Sequence, residues 1–116
     1  MTVKDFKAKL KENSTSIKFA DTMQVIEDNY NFTPTSFTNG AIKNNAGENS
    51  GSCKLFAFAI HQKLTKEEAL RCFGEHYRSV LEDSNGTSHQ NIRSFMKTGF
   101  NGLDFDNDAL ELKSNL

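Results

Sequence analysis

The residues best suited to chemistry are two thiols, three imidazoles and a run rich in asparagine and glycine. Gly51-Ser52-Cys53-Lys54 follows a polar loop and opens a predicted helix, which places the Cys53 thiol in a first turn. A helix start carries about half a positive charge and Lys54 adds a neighbouring cation, and both favour thiolate over thiol. A base for such a nucleophile would come from His89, at another predicted helix start, or from His61 or His76. The competing reading of Cys53 is a packed core residue.

Cys72 and His76 stand four apart on one predicted helix face, a spacing that can bind zinc. No second pair of matching spacing follows, so neither a metal nor a cofactor is expected. Glu67, Glu68, Glu75 and Asp83 read as a solvated helix surface rather than as paired carboxylates. The stretch Asn45-Ala46-Gly47-Glu48-Asn49-Ser50-Gly51-Ser52 has glycines four apart ahead of a helix and could offer N–H groups to an anion. It lacks the Lys-Ser/Thr ending of a phosphate loop. A second polar cluster is His89-Gln90-Asn91-Ile92-Arg93, in which Ser88 or Thr87 would cap the helix and the spacing puts His89 and Arg93 on one face. The candidate binding residues are therefore Asn45, Gly47, Asn49, Ser52, Lys54, His89, Gln90 and Arg93. The alternative is structural: the second cluster hydrogen-bonds the Asn-rich loop and holds it down. Either way, the 44–54 and 88–93 segments are expected to be neighbours.

Composition narrows the field. Fourteen Lys+Arg against fifteen Asp+Glu leave a formal charge of −1, too little to draw the chain to nucleic acid or an anionic membrane. The longest apolar run, Leu55 to Ile60, is far shorter than a membrane span. The start lacks the layout of a secretory leader, so synthesis and folding in the cytoplasm, with both thiols reduced, is the expectation. Length implies one domain over 1–116 and a monomer is expected. Phenylalanine supplies 10 of the aromatic residues, with 2 tyrosines and no tryptophan. Such rings bury without needing a polar partner, which predicts a phenylalanine-built core.

Periodicity then supplies the elements that must position these groups. Val3, Phe6 and Leu10 define a helix over 2–12, with lysines outside. Ile17 and Phe19 alternate with Lys18 as in a brief strand, and Asp21 caps a helix over 21–30. Residues 35–38 are β-prone, Asn39-Gly40 forms a type I′ hairpin turn, and Ala41-Ile42 open the returning strand. A ten-residue loop over 43–52 precedes a buried helix from Cys53 to Lys63, capped by Ser52. Thr65 and Glu68 form a capping box for a helix over 66–82, and Gly74 inside it marks close packing. A last helix ends at Gly99, 100–105 alternates as a strand, and 106–116 reads as a frayed acidic tail. The sum is an α+β fold of about five helices with a small, mostly antiparallel sheet.

Phe19-Ala20-Asp21-Thr22, Asn29-Tyr30-Asn31-Phe32-Thr33-Pro34-Thr35, Asn45-Ala46-Gly47-Glu48-Asn49, Gly51-Ser52-Cys53-Lys54-Leu55-Phe56-Ala57-Phe58-Ala59, Cys72-Phe73-Gly74 and His89-Gln90-Asn91-Ile92-Arg93 also follow a shared pattern. Over about residues 17–105 the chain resembles the HopJ type III effector family of Gram-negative bacteria. The resemblance implies a small α+β domain, delivered in some members into a host cell by a type III system, and brings no catalytic residues or cofactor with it. Two functional readings and a plainer one follow. The first is an interaction module that binds a host protein or small ligand through the 44–54 and 88–93 segments. The second is a thiol enzyme with Cys53 as nucleophile and His89 as base. The third is a housekeeping protein that stays in the bacterial cell.

Overall fold

The computed structural model describes residues 2–12 and 14–113. In chain order these form α1 (Val3–Glu12), a 3-10 turn, α2 (Phe19–Asn29), β1 (Tyr30–Phe32), β2 (Phe37–Asn39), β3 (Ile42–Asn44), α3 (Ser50–His61), α4 (Lys66–Arg71), α5 (Glu75–Glu82), α6 (Gln90–Thr98), a second 3-10 turn, β4 (Leu103–Phe105) and β5 (Leu110–Leu112). The fold is α+β with two small antiparallel sheets, one ordered β3-β2-β4 and the other β1-β5.

The core is built around α3. Its residues Leu55 to Ala59 are all buried, so the helix has no polar face at its middle. Two of its rings anchor opposite sides of the molecule. Phe56 meets Phe37 of β2, Phe73 and Phe95 of α6 at ring separations of 6.3, 5.5 and 4.8 Å. Phe58 meets Phe6 of α1 and Tyr30 of β1, both at 6.0 Å. Each fully buried phenylalanine contributes roughly 1.5–3 kcal/mol of transfer free energy, so these two residues tie the helical and strand elements into one core.

Several expected elements fold differently, each for a local reason. Ile17 and Lys18 pair with no strand, and Phe19 already belongs to α2. Lys18 is the N-cap of that helix, and its N–H donates to the Asp21 carboxylate at 3.0 Å, so Asp21 caps from inside the first turn. The hairpin turn is centred on Gly40-Ala41, because Asn39 stays in β2 opposite Ile42. Only Gly40 of the two central residues has positive φ, at 61°, the pattern of a type II′ turn rather than I′. The expected helix over 66–82 is two helices. At Gly74 the backbone takes φ 59° and ψ −125°, and a Cβ there would lie 2.6 Å from the Phe19 nitrogen and 2.9 Å from the Ile17 carbonyl oxygen. The close packing read from this glycine is present, and the backbone it requires breaks the helix.

The Thr65–Glu68 capping box forms as expected, with bonds of 2.9 and 3.1 Å. Residues 99–102 form a 3-10 turn and only 103–105 a strand. The tail, expected to fray from 106 on, instead lays β5 against β1 in the register Tyr30 to Leu112, with Ala109 and Leu110 buried. Burial of these two apolar side chains among otherwise acidic neighbours is what holds it. Residues 114–116 lie outside the described residues.

Candidate functional site

A cleft of about 450 Å³ opens where the starts of several helices meet. Its lining takes Phe19 from the start of α2, Asn49, Gly51 and Ser52 from the start of α3, His76 from α5, and His89, Gln90, Asn91 and Ile92 from the start of α6. Glycine makes the approach: a Cβ on Gly51 would sit 2.8 Å from the Phe19 ring. The His76 and His89 rings are 4.9 Å apart, and His76 also meets Phe19 edge-on at 5.0 Å.

The electrostatics of this cleft are one-sided. No carboxylate or Lys/Arg side chain lines it. Neither α3 nor α6 has a side-chain cap, so the first N–H groups of both helices keep their partial positive charge. Their N-cap residues are Asn49 (φ 49°, ψ 47°) and His89 (φ 52°, ψ 54°), both left-handed, a conformation that L-residues rarely hold without surrounding constraint. By contrast the Glu75 carboxylate accepts the Phe19 N–H at 2.8 Å and so satisfies the start of α2.

The constraint is a buried asparagine network beneath the cleft. Asn44 and Asn91 exchange side-chain bonds of 3.1 and 3.0 Å. The Asn39 amide donates to the Asn91 carbonyl at 2.8 Å and to its side chain at 3.0 Å, and Asn49 donates to Asn44 at 2.7 Å. Asn39, Asn44 and Asn91 are buried, and one Asn39 oxygen has no partner among the described residues. This network ties the β2–β3 hairpin to the starts of α3 and α6. The 44–54 and 88–93 segments are thus neighbours, and of the second cluster it is Asn91 that bonds the Asn-rich loop, at Asn44, while the Gln90 and Arg93 side chains bond backbone carbonyls within 84–88.

The other candidate residues scatter. Cys53 is the fourth residue of α3, not the first, and its N–H is already committed to the Asn49 carbonyl at 3.0 Å. Its thiol is 2% exposed and directed at the Thr35 carbonyl oxygen, 3.9 Å away. Burial pushes the thiol pKa up, outweighing the opposing effects of the Thr35 bond and of Lys54. It does not line the cleft that holds His89, so the nucleophile–base pair is not assembled. Ser52 lies inside α3 and does not cap it. Lys54 faces α2 and β1, with its nitrogen 3.9 Å from the Glu27 carboxylate and 4.9 Å from the centre of the Phe32 ring.

Asn45 and Gly47 are exposed on the short turn between β3 and α3, outside the cleft. The Arg93 side chain does not line the cleft with His89: its guanidinium donates to the Ser84 and Ser88 carbonyls and borders a different cavity with Val80, Leu81 and Met96. His61 pairs with Asp108 at 3.0 Å, on another face. Cys72 is fully buried, and desolvation pushes its thiol far up. Among the described residues no group of three or more His, Cys, Asp or Glu side chains could hold a metal, and no helix is long and apolar enough to cross a membrane. Sequence reasoning missed Phe19, Asn39 and Asn44, and treated His76 only as a spare base or as a partner of Cys72 at zinc-binding spacing. The signal for Asn39 was present in the Asn39-Gly40 pair but was read as turn chemistry.

The two antiparallel sheets around an apolar central helix, with a cleft at the helix starts, define a small α+β protein. Comparison with known proteins is more specific: the family described as HopJ type III effector protein matches residues 3–110, and this chain belongs to that family. Among solved structures it is similar to the crystal structure of a protein of unknown function, VPA0580, at 49% identity and a TM-score of 0.95, covering 97% of this chain and 95% of that one. No curated protein matches the chain.

Proposed function

We propose that this chain is a binding module whose ligand carries an anionic group, seated in the cleft between His76, His89 and the starts of α3 and α6. The observation that carries this reading is a cavity of about 450 Å³ whose lining has two imidazoles and no carboxylate. Uncapped helix starts add favourable N–H donors, and an anion would satisfy groups that no side chain satisfies. Phe19, Phe73 and Ile92 supply an apolar wall for the rest of the ligand. Asn49, Ser52, His89 and Gln90 are the binding residues. Asn45, Gly47, Lys54 and Arg93 have no direct part. The thiol-enzyme reading has no support from a buried Cys53 with a raised pKa.

Inorganic phosphate, titrated against labelled protein by NMR, tests the reading. The expected result is saturable shifts of the amides of residues 50–52 and 90–92, abolished in a folded His76→Gln/His89→Asn variant. Phosphate that moves none of these amides overturns it. Family membership further supports a host partner reached by type III delivery. Comparing export from wild-type and secretion-deficient cells tests that part separately.

A further inference from the structure

The chain contains the dipeptide Asn-Gly three times, at 39–40, 85–86 and 101–102. Asn-Gly is the pair most open to spontaneous deamidation, because glycine lacks the Cβ that would shield its backbone nitrogen. That nitrogen, once deprotonated, attacks the asparagine side-chain carbonyl carbon. A C–N bond forms, ammonia leaves, and water opens the resulting succinimide to aspartate or isoaspartate. The reaction needs no oxidant or cofactor. It does need the side chain and the following backbone nitrogen to be free to meet.

The three sites differ in that freedom. Asn39 is fully buried in β2, its amide is held by Asn91, and the Gly40 N–H donates to the Gly102 carbonyl at 2.9 Å. Asn101 is exposed but lies in the 3-10 turn Gly99–Gly102, which that same bond ties to the hairpin. Asn85 is exposed, lies in the connection between α5 and α6, and nothing among the described residues hydrogen-bonds its side chain. The one bond to release is the Gly86 N–H to the Asp83 carbonyl, at 3.0 Å, in an exposed turn. Opening a surface turn costs far less than opening a core strand.

We infer that Asn85-Gly86 is the chain's site of spontaneous deamidation. The consequence is local and chemical. A new carboxylate joins Asp83 in the turn, and the isoaspartate form adds a methylene to the backbone between Ser84 and Ser88, whose carbonyls hold Arg93.

Peptide mapping by mass spectrometry after incubation of the folded protein at mildly alkaline pH tests this. The Asn85 peptide is expected to convert severalfold faster than the Asn101 peptide, with the Asn39 peptide unchanged. In denaturant the three rates should converge, which shows that the fold sets the order. An Asn85→Gln variant, whose longer side chain disfavours the five-membered ring, removes the fast phase. Faster conversion at Asn101 or Asn39 in the folded protein, or the same order persisting in denaturant, overturns the inference.

Discussion

The aromatic core around α3 and the asparagine network under the cleft are both buried, yet they are held by opposite physics. The rings of Phe56 and Phe58 gain by leaving water and tolerate a range of contact angles, from nearly perpendicular to tilted. Asn39, Asn44 and Asn91 gain little net energy by burial and must meet one another at hydrogen-bond distance or lose heavily. The core therefore supplies stability, while the network supplies a position: it places the starts of α3 and α6 side by side. The cleft inherits its shape from the second region and its rigidity from the first.

Substitutions can break this contrast. Phe56→Ala should cost the most, about 3–5 kcal/mol, through lost transfer energy and the cavity left among Phe37, Phe73 and Phe95, measured by urea unfolding. Asn91→Ala strands the buried Asn44 amide, at about 1–3 kcal/mol, and takes from Asn39 its bond to the Asn91 side chain while leaving the one to the backbone carbonyl. It should also shift the amides of both helix starts in NMR, which Phe56→Leu should not. A loss from Asn91→Ala below about 0.5 kcal/mol would show that the network imposes nothing. Gly74→Ala should destabilise by on the order of 1–3 kcal/mol, because the positive φ and the close Phe19 backbone both reject a Cβ.

Cys53 sharpens the same boundary from the side of pH. Its thiol pKa is raised in the folded protein by burial, whereas the unfolded chain ionises it near the ordinary value of about 8.5. The unfolded state therefore releases the proton first, so stability should fall as pH rises above that ordinary value, and Cys53→Ala should remove that part of the slope. Alkylation of the folded protein should likewise require more alkaline solution than a free thiol does. Lys54→Ala should have the smallest effect, under about 1 kcal/mol, since its carboxylate partner is largely exposed.

The core was open to sequence reading because apolar side chains repeat at helical spacing: Phe6 with Leu10, Ile92 with Phe95, and the unbroken run from Leu55. The network was not, because an asparagine looks the same in a sequence whether it faces water or another asparagine. Asn39 was assigned to a turn by its glycine neighbour, yet burial against Asn91 keeps it in the strand and shifts the turn by one residue. His76 joined the cleft only because Gly74 ends one helix and starts another in a new direction. The Cys53 expectation failed by a similar margin: three extra residues at the start of α3 moved the thiol from the helix end into its buried body.

The pairing of β5 with β1 sets the order in which a newly made chain can finish folding. Tyr30 pairs with Leu112, far apart in sequence, and Lys113 reaches back to the Glu27 carbonyl at 2.6 Å. During synthesis β1 must wait, without a strand partner, until residues 110–112 have left the ribosome. Until then the surface that Ala109 and Leu110 cover stays open to solvent. Any nascent or truncated chain ending before residue 109 thus presents an unfinished strand, a ready target for chaperones or for other chains.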